Sequence, residues 1–383
     1  MNHKTIFISA VLLNATLSLC SIDYPDCAPF SGDIDVNIRN IYPEGGEWSP
    51  SNCKIYLGSL NNGTIVEYDP YTSATNIIEF PGVSHNWEYF VCGVDYSRAT
   101  GNIYVSASAR APWFNPNSPG MGTNLTGPNR LIQYSPRDRS IIWEVDLDPL
   151  ISDIEQQLGT PVGGLQDSAS DKDGNAYLPV TFGNFILKVD RNGKASRFYT
   201  PDLGKLDKSY GFGGLFVTED NGMVLADGVS QGFVLFNLSG PNPAEPHFSR
   251  PEGLPDNYDL PLVCDALVAP RRYRDRVAIC ADVLSTSMSP HGIITVYVSN
   301  DGWKTGKYAG AIPVAFGQSP DVFSTAQFAT AERVYALSSA LPYGPQLFPE
   351  VESTTLVDIT ARVDELVGDA GASQHQRDEF KTS

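Results

Sequence analysis

A short phrase returns six times along this 383-residue chain, and it constrains the fold more than any other feature. Each copy is a turn rich in small polar residues followed by a few apolar ones. The copies are Ser51-Asn-Cys-Lys-Ile-Tyr56, Thr100-Gly-Asn-Ile-Tyr104, Asp173-Gly-Asn-Ala-Tyr177, Asn221-Gly-Met-Val-Leu225, Asp275-Arg-Val-Ala-Ile279 and Ala331-Glu-Arg-Val-Tyr335. Their last residues lie 48, 73, 48, 54 and 56 positions apart. A period near 50 with several strands in each unit is the mark of propeller blades. The pattern therefore predicts an all-β chain, a six-bladed β-propeller. The 34 Gly and 28 Pro agree with its many turns.

One unit reads strand by strand. Gly164 to Ser170 is the inner strand, Ala176 to Thr181 the second, Phe185 to Asp190 the third and Ala195 to Tyr199 the fourth. Asn192-Gly193 turns the last hairpin, because that pair tolerates the positive φ required. Asp171-Lys-Asp-Gly174 opens like a calcium loop, but the chelating Glu and flanking helices are missing, so it reads as a turn. The long second gap holds an insert, Ala107 to Asn129, a loop between the second and third strands of blade two. After it, Leu150, Ile151, Ile154 and Leu158 recur at helical spacing and predict a short amphipathic helix. An open ring would leave bare strand edges. Residues Ile34 to Asn40 are therefore expected as the outer strand of the last blade, beside Thr354 to Ile359.

The ends divide the chain further. His3-Lys4 and the apolar run Ile6 to Leu19 form a secretory signal, with cleavage expected before Ser21. No later apolar run approaches the ~20 residues of a membrane helix. The domain reading is a signal peptide over 1–20, a propeller over 21–367 and a disordered polar tail over 368–383. The mature protein is expected in the secretory pathway, secreted or lumenal, as a monomer without membrane insertion. Three sequons, at Asn62, Asn124 and Asn237, are then glycan candidates. Five cysteines remain after cleavage: Cys27, Cys53, Cys92, Cys264 and Cys280. Cys264 and Cys280 fall on neighbouring strands of one hairpin and are expected to pair. One of the first three stays free. A formal net charge of −18 leaves no basic footprint for nucleic acid or an anionic membrane.

Gly164-Leu-Gln-Asp-Ser-Ala-Ser-Asp-Lys-Asp-Gly-Asn-Ala-Tyr177 and Ile34-Asp-Val-Asn-Ile-Arg-Asn-Ile-Tyr-Pro-Glu44 closely resemble the secreted propeller family that includes a major Malassezia yeast allergen. Similar propellers are encoded in fungal terpenoid and trichothecene gene clusters, and some act as hetero-Diels–Alder cyclases. The resemblance implies a natural-product cyclase or a small-molecule binder. A more distant likeness is to calcium-dependent lactonases of the gluconolactonase type, through Glu44-Gly-Gly-Glu-Trp48-Ser-Pro50. It implies Glu44 and Asp265 as metal ligands. The two Asn ligands of that type are replaced by Gln166 and Gly213, which leaves too few oxygens for a hard cation. No metal site is therefore expected.

In a propeller, the loops entering the inner strands and those between second and third strands share one face, the default pocket. The first set brings Glu44, Glu47, Trp48, His85, Trp87, Glu88, Gln166, Asp167, Tyr210, Phe212 and Asp265. The second brings Arg110, Trp113, Phe114 and His291. Aromatic walls with sparse polar groups suit an apolar, oxygen-bearing ligand derived from a terpenoid or polyketide. His85 or His291 would shuttle a proton, and Asp167, Tyr210 or Asp265 would polarise a hydroxyl or carbonyl. Glu44, Trp48, Trp87, Trp113, Phe114, Gln166 and Phe212 would line the substrate. The tryptophans also suit plain packing, and the acids also suit simple ties between strands. No phosphate-binding Gly-rich loop precedes a helix. The leading expectation is a cofactor-independent cyclase closing a ring, by hetero-Diels–Alder or ether formation, on a terpenoid-derived intermediate. The alternatives are a non-enzymatic binder of lipid or metabolite and a metal-dependent lactonase.

Overall fold

The computed structural model describes residues 27–114, 121–201, 210–255, 262–282, 293–313, 322–340 and 350–368. Six antiparallel sheets stand around one axis. Blade one is Pro43–Ser49, Lys54–Ser59, Thr64–Tyr68 and Thr75–Ile78. Blades two to five repeat this order with inner strands Tyr89–Ser97, Gly163–Leu165 with Ala169–Ser170, Phe212–Val217 and Cys264–Val268. Blade six has Val322–Ala329, Val334–Ala340 and Thr354–Asp358, and its outer strand is Ile34–Val36 from the other end of the chain. That pairing is antiparallel, with Ile34 opposite Leu356 and Val36 opposite Thr354. The ring closes as the alternation implied, on a shorter strand than Ile34 to Asn40. Past its end, positive φ at Asn40 and Tyr42 turns the chain into blade one.

Apolar side chains fill the space between blades rather than the axis. Trp48, Leu57 and Val66 of blade one pack against Phe328, Tyr335 and Leu337 of blade six. Phe233 of blade four packs against Tyr297 of blade five and Trp303 just beyond it, all almost fully buried. Burying each such aromatic stabilises the fold by roughly 1.5–3 kcal/mol. Near the axis the inner strands crowd together, and glycine makes this possible. A β-carbon at Gly45 would land on the Cys92 carbonyl oxygen, and one at Gly213 on that of Cys264.

The inner strand of blade three is broken. Gly163–Leu165 and Ala169–Ser170 pair with opposite ends of Ala176–Phe182, where the sequence suggested one strand. Gln166 still donates its backbone N–H to the Pro179 carbonyl, at 3.3 Å, and the regular register lapses between it and Ala169. The helix Asp148–Leu158 stands where periodicity placed it, while the second strand of blade two runs on to Ala109, past the expected start of the insert at Ala107. A second helix, Thr360–Val367, was not foreseen. It buries Val363 and Val367, one turn apart, in the cluster beneath blade five. Two disulfides staple the ring. Cys264–Cys280 ties the first two strands of blade five, and Cys27–Cys53 ties the entering chain to the first hairpin of blade one. Cys92 is buried and unpaired. Among the described residues no helix is long and apolar enough to cross a membrane.

Candidate active site

All inner strands run along the axis in the same sense, so each step along one moves deeper into the channel. Two cavities result. The upper pocket lies at the strand starts, between Leu60, Phe90, Trp113, Phe114, Met121 and Tyr210, with Glu44, Cys92, Gln166 and Asp265 at its floor. The lower cavity lies toward the strand ends. The four floor residues line both and form the neck between them.

The neck is a polar knot. Gln166 donates from Nε2 to Asp265 Oδ1 and also to the Asp265 carbonyl, at 3.2 Å. The Tyr210 hydroxyl lies 3.5 Å from the same Oδ1. Glu44 is hydrogen-bonded to Asp265, and its Oε2 has no partner among the described residues. Burial raises the pKa of both acids. Glu44 is pushed well above the carboxylate range, first by burial and then by the Asp265 charge, while Asp265 rises to about 6. Two facing carboxyl groups in a low-dielectric neck hold one proton between them, because both cannot ionise cheaply. Burial and the Asp265 charge also keep the Tyr210 phenol protonated, well above its ordinary value.

Above the knot stands an aromatic wall. Trp113 lies 5.4 Å from Phe182 and 6.2 Å from Tyr210 between ring centroids. Trp87 is 54% exposed on the rim, edge-on to Phe114 at 6.3 Å, with the Arg110 guanidinium 3.6 Å over its ring.

The expected site residues thus divide. Glu44, Gln166, Tyr210, Asp265, Trp113 and Phe114 converge, and Trp87 stands at their rim. Trp48, 6% exposed, is not in the mouth but between blades one and six, its ring tilted against Phe30 at 5.3 Å between centroids. Phe212, 1% exposed, belongs to the core between blades three and four. Both point away from the axis because alternate residues of a strand face opposite sides. Glu88 is exposed on the loop outside the pocket. His85 is exposed as well, with Nε2 2.9 Å from Glu79 Oε1, and touches neither cavity. Glu47 and Asp167 line the lower cavity, one or more residues deeper than expected. His291 lies outside the described residues. Sequence reading missed Leu60, Phe90, Cys92 and Met121. The inward alternation of the blade-two inner strand carries the signal for Phe90 and Cys92. Of the sequons, Asn237 is exposed, Asn124 accepts from Thr126 in a tight turn, and Asn62 is half-buried against the Asn40 carbonyl.

The residues do not fit a lactonase-type metal. Glu44 and Asp265 meet with Gln166, but the fourth position is Gly213, where any side chain would strike blade five. Among the described residues no three His, Cys, Asp or Glu side chains converge closely enough to hold a metal.

The fold and site define a class: a six-bladed propeller with a carboxyl-bearing neck under an aromatic mouth. Residues 22–252 match the Mal s 1 allergenic protein-like family, and the chain belongs to it. The "Trichothecene biosynthesis protein 14" of Trichoderma arundinaceum is 25% identical over 355 residues, covering 89% of this chain and 92% of the relative. The "Major allergen Mal f 1" of Malassezia furfur is 22% identical over 247 residues, 63% of this chain and 68% of the allergen. The crystal structure of the major Malassezia sympodialis allergen Mala s 1 superposes with a TM-score of 0.67 at 18% identity, covering 86% of this chain and 96% of that one. That likeness shows the propeller fold.

Proposed function

We propose that this chain is a cofactor-independent cyclase of fungal secondary metabolism, closing a ring on an oxygenated, terpenoid-derived intermediate. The observation that carries the reading is the Glu44–Asp265 carboxyl pair at the floor of an aromatic pocket. Support also comes from a relative named for trichothecene biosynthesis that aligns over most of both chains. The space between the described side chains is about 100 Å³, which seats the reacting end of a ligand while the remainder extends into the mouth.

For an ether-forming closure the pair supplies both proton transfers. Glu44 gives its proton to an allylic hydroxyl, the C–O bond breaks and water leaves. A second hydroxyl of the same substrate attacks the allylic carbon and passes its proton to Asp265. One proton leaves the pair and one returns, so the proton count is conserved and the net change is loss of water. Trp113 and Phe114 offer π faces to the developing allylic cation. For a hetero-Diels–Alder closure no proton moves. Glu44 and Tyr210 donate hydrogen bonds to the reacting carbonyl, and the pocket holds a near-attack geometry, worth about 7–11 kcal/mol in favourable cases. The two disulfides suit an oxidising compartment, and we place the protein in the secretory pathway.

The test is incubation of purified protein with reactive oxygenated terpenoid precursors. Accelerated, stereochemically enriched ring closure supports the cyclase. Unchanged product ratios overturn it. Stoichiometric binding of the precursor without turnover would instead favour a non-enzymatic binder, the reading that the allergen relative supports.

A further inference from the structure

The lower cavity carries a second constellation that the ring closure does not use. Glu47, Asp95 and Asp167 come from the inner strands of blades one, two and three and line a cavity of about 410 Å³. Burial, reinforced by the mutual repulsion of these acids, pushes Glu47 and Asp167 to about 8, and burial alone takes Asp95 to about 7. The cations on this cavity, Arg98, Lys172 and Arg271, stand beside an equal number of other acids, Asp171, Glu219 and Asp275. Arg271 faces Glu219 at 3.6 Å. Arg98 draws Glu47 and Asp95 down, but less than burial drives them up. Nearer the neck, the shared Glu44–Asp265 pair adds further negative charge. Three inner acids thus face the single charge of Arg98 and are only partly compensated.

A second, independent observation concerns hydrogen-bonding capacity. Ser168 and Gln166 line the same cavity and are only 4% and 6% exposed. Among the described residues, Ser168 Oγ and Gln166 Oε1 have no partner, and neither has Asp95 Oδ2. Two of these three atoms only accept, and a buried acceptor left unpaired costs about 1–3 kcal/mol. The wall thus presents surplus acceptors and carboxyl groups that a bound cation would ionise. A single metal ion needs its oxygens within about 2.0–2.6 Å, and among the described residues no three acidic groups converge that closely. An ammonium group reaches farther, at about 2.7–3.2 Å, and brings three donors, one positive charge and no acceptor.

We propose that the lower cavity binds a small aliphatic primary amine in its ammonium form, held by Glu47, Asp95 and Asp167, with Ser168 and Gln166 completing the acceptor shell. The site shares Gln166 with the neck, but its three acids lie outside the proposed ring-closing pocket and its occupancy does not require ring closure. Binding a cation favours the ionised acids, so it releases protons and tightens as pH rises.

Isothermal titration of the full chain with 1,4-diaminobutane, at pH 6.0 and 8.5 in buffers of different ionisation enthalpy, tests this. The expected result is one saturable site, at least about tenfold tighter at pH 8.5, with proton release at binding. Asp95→Asn and Glu47→Gln should each weaken it about tenfold or more, while Trp113→Ala, which alters only the upper pocket, should leave it intact. The amide variants keep shape and remove repulsion, and thermal unfolding verifies their fold. No saturable heat at millimolar diamine overturns the proposal, as does wild-type affinity in an Asp95→Asn/Asp167→Asn double variant. Equal binding of 1,4-butanediol, or displacement of the diamine by calcium, overturns it too.

Discussion

The side-chain amide of Gln166 donates to the carboxylate of Asp265, a residue 99 positions further along the chain. This bond crosses the channel from blade three to blade five and supports the ionised form of Asp265. Gln166→Leu removes it, so the Asp265 pKa should rise above its present value of about 6. If Asp265 is the base in ring closure, the acidic limb of the kcat/KM profile moves to higher pH in this variant. A pH–rate series on wild type and variant checks the shift.

Glu44 is the proton-bearing partner. Glu44→Gln keeps its size and loses its acidity, and should lower ether-forming turnover by about 10²–10⁴-fold. The residual rate should also lose the basic limb of the profile, because no Glu44 proton remains to be titrated. Single-turnover product analysis across pH measures both effects. A hetero-Diels–Alder substrate, which needs only a hydrogen bond, should suffer far less.

The lower acids make stability depend on pH in an unusual direction. Their folded pKa values, about 7 to 8, lie above those of an unfolded carboxylate. The folded state therefore binds more protons than the unfolded state between about pH 4 and pH 8, and stability from these groups falls as pH rises through that window. Asp95→Asn removes one of them and should stabilise the protein at pH 8, on the order of 2 kcal/mol, with little effect at pH 4. Chemical denaturation at the two pH values decides it.

Ring closure rests on three residues. Val36 is fully buried in the cluster between blades one and six, on the strand paired with Thr354–Asp358. Val36→Asp buries an unpaired charge and should cost about 3 kcal/mol or more, freeing the edge of blade six. A fall in the unfolding midpoint with concentration-dependent aggregation is the expected outcome, whereas the exposed Asp35→Asn should change neither.

Local sequence carried the repeat, the blade count, the insert, the first helix and the closing strand, because each is written in periodicity and turn chemistry within a few residues. The Cys264–Cys280 bond was legible for the same reason, since both residues lie on one hairpin. Cys27–Cys53 was not, since no spacing separated it from pairings with Cys92. The depth of each side chain in the channel was decided only by the tertiary structure. Glu44 and Glu47 differ by three positions, yet one reaches the neck and the other the lower cavity, because the strand between them runs along the axis. Trp48 and Phe212 left the mouth for the interblade core through the pleat of that same strand type. The meeting of Glu44, Gln166 and Asp265 is a product of closing six sheets into a ring, and no local pattern encodes the distance between blades.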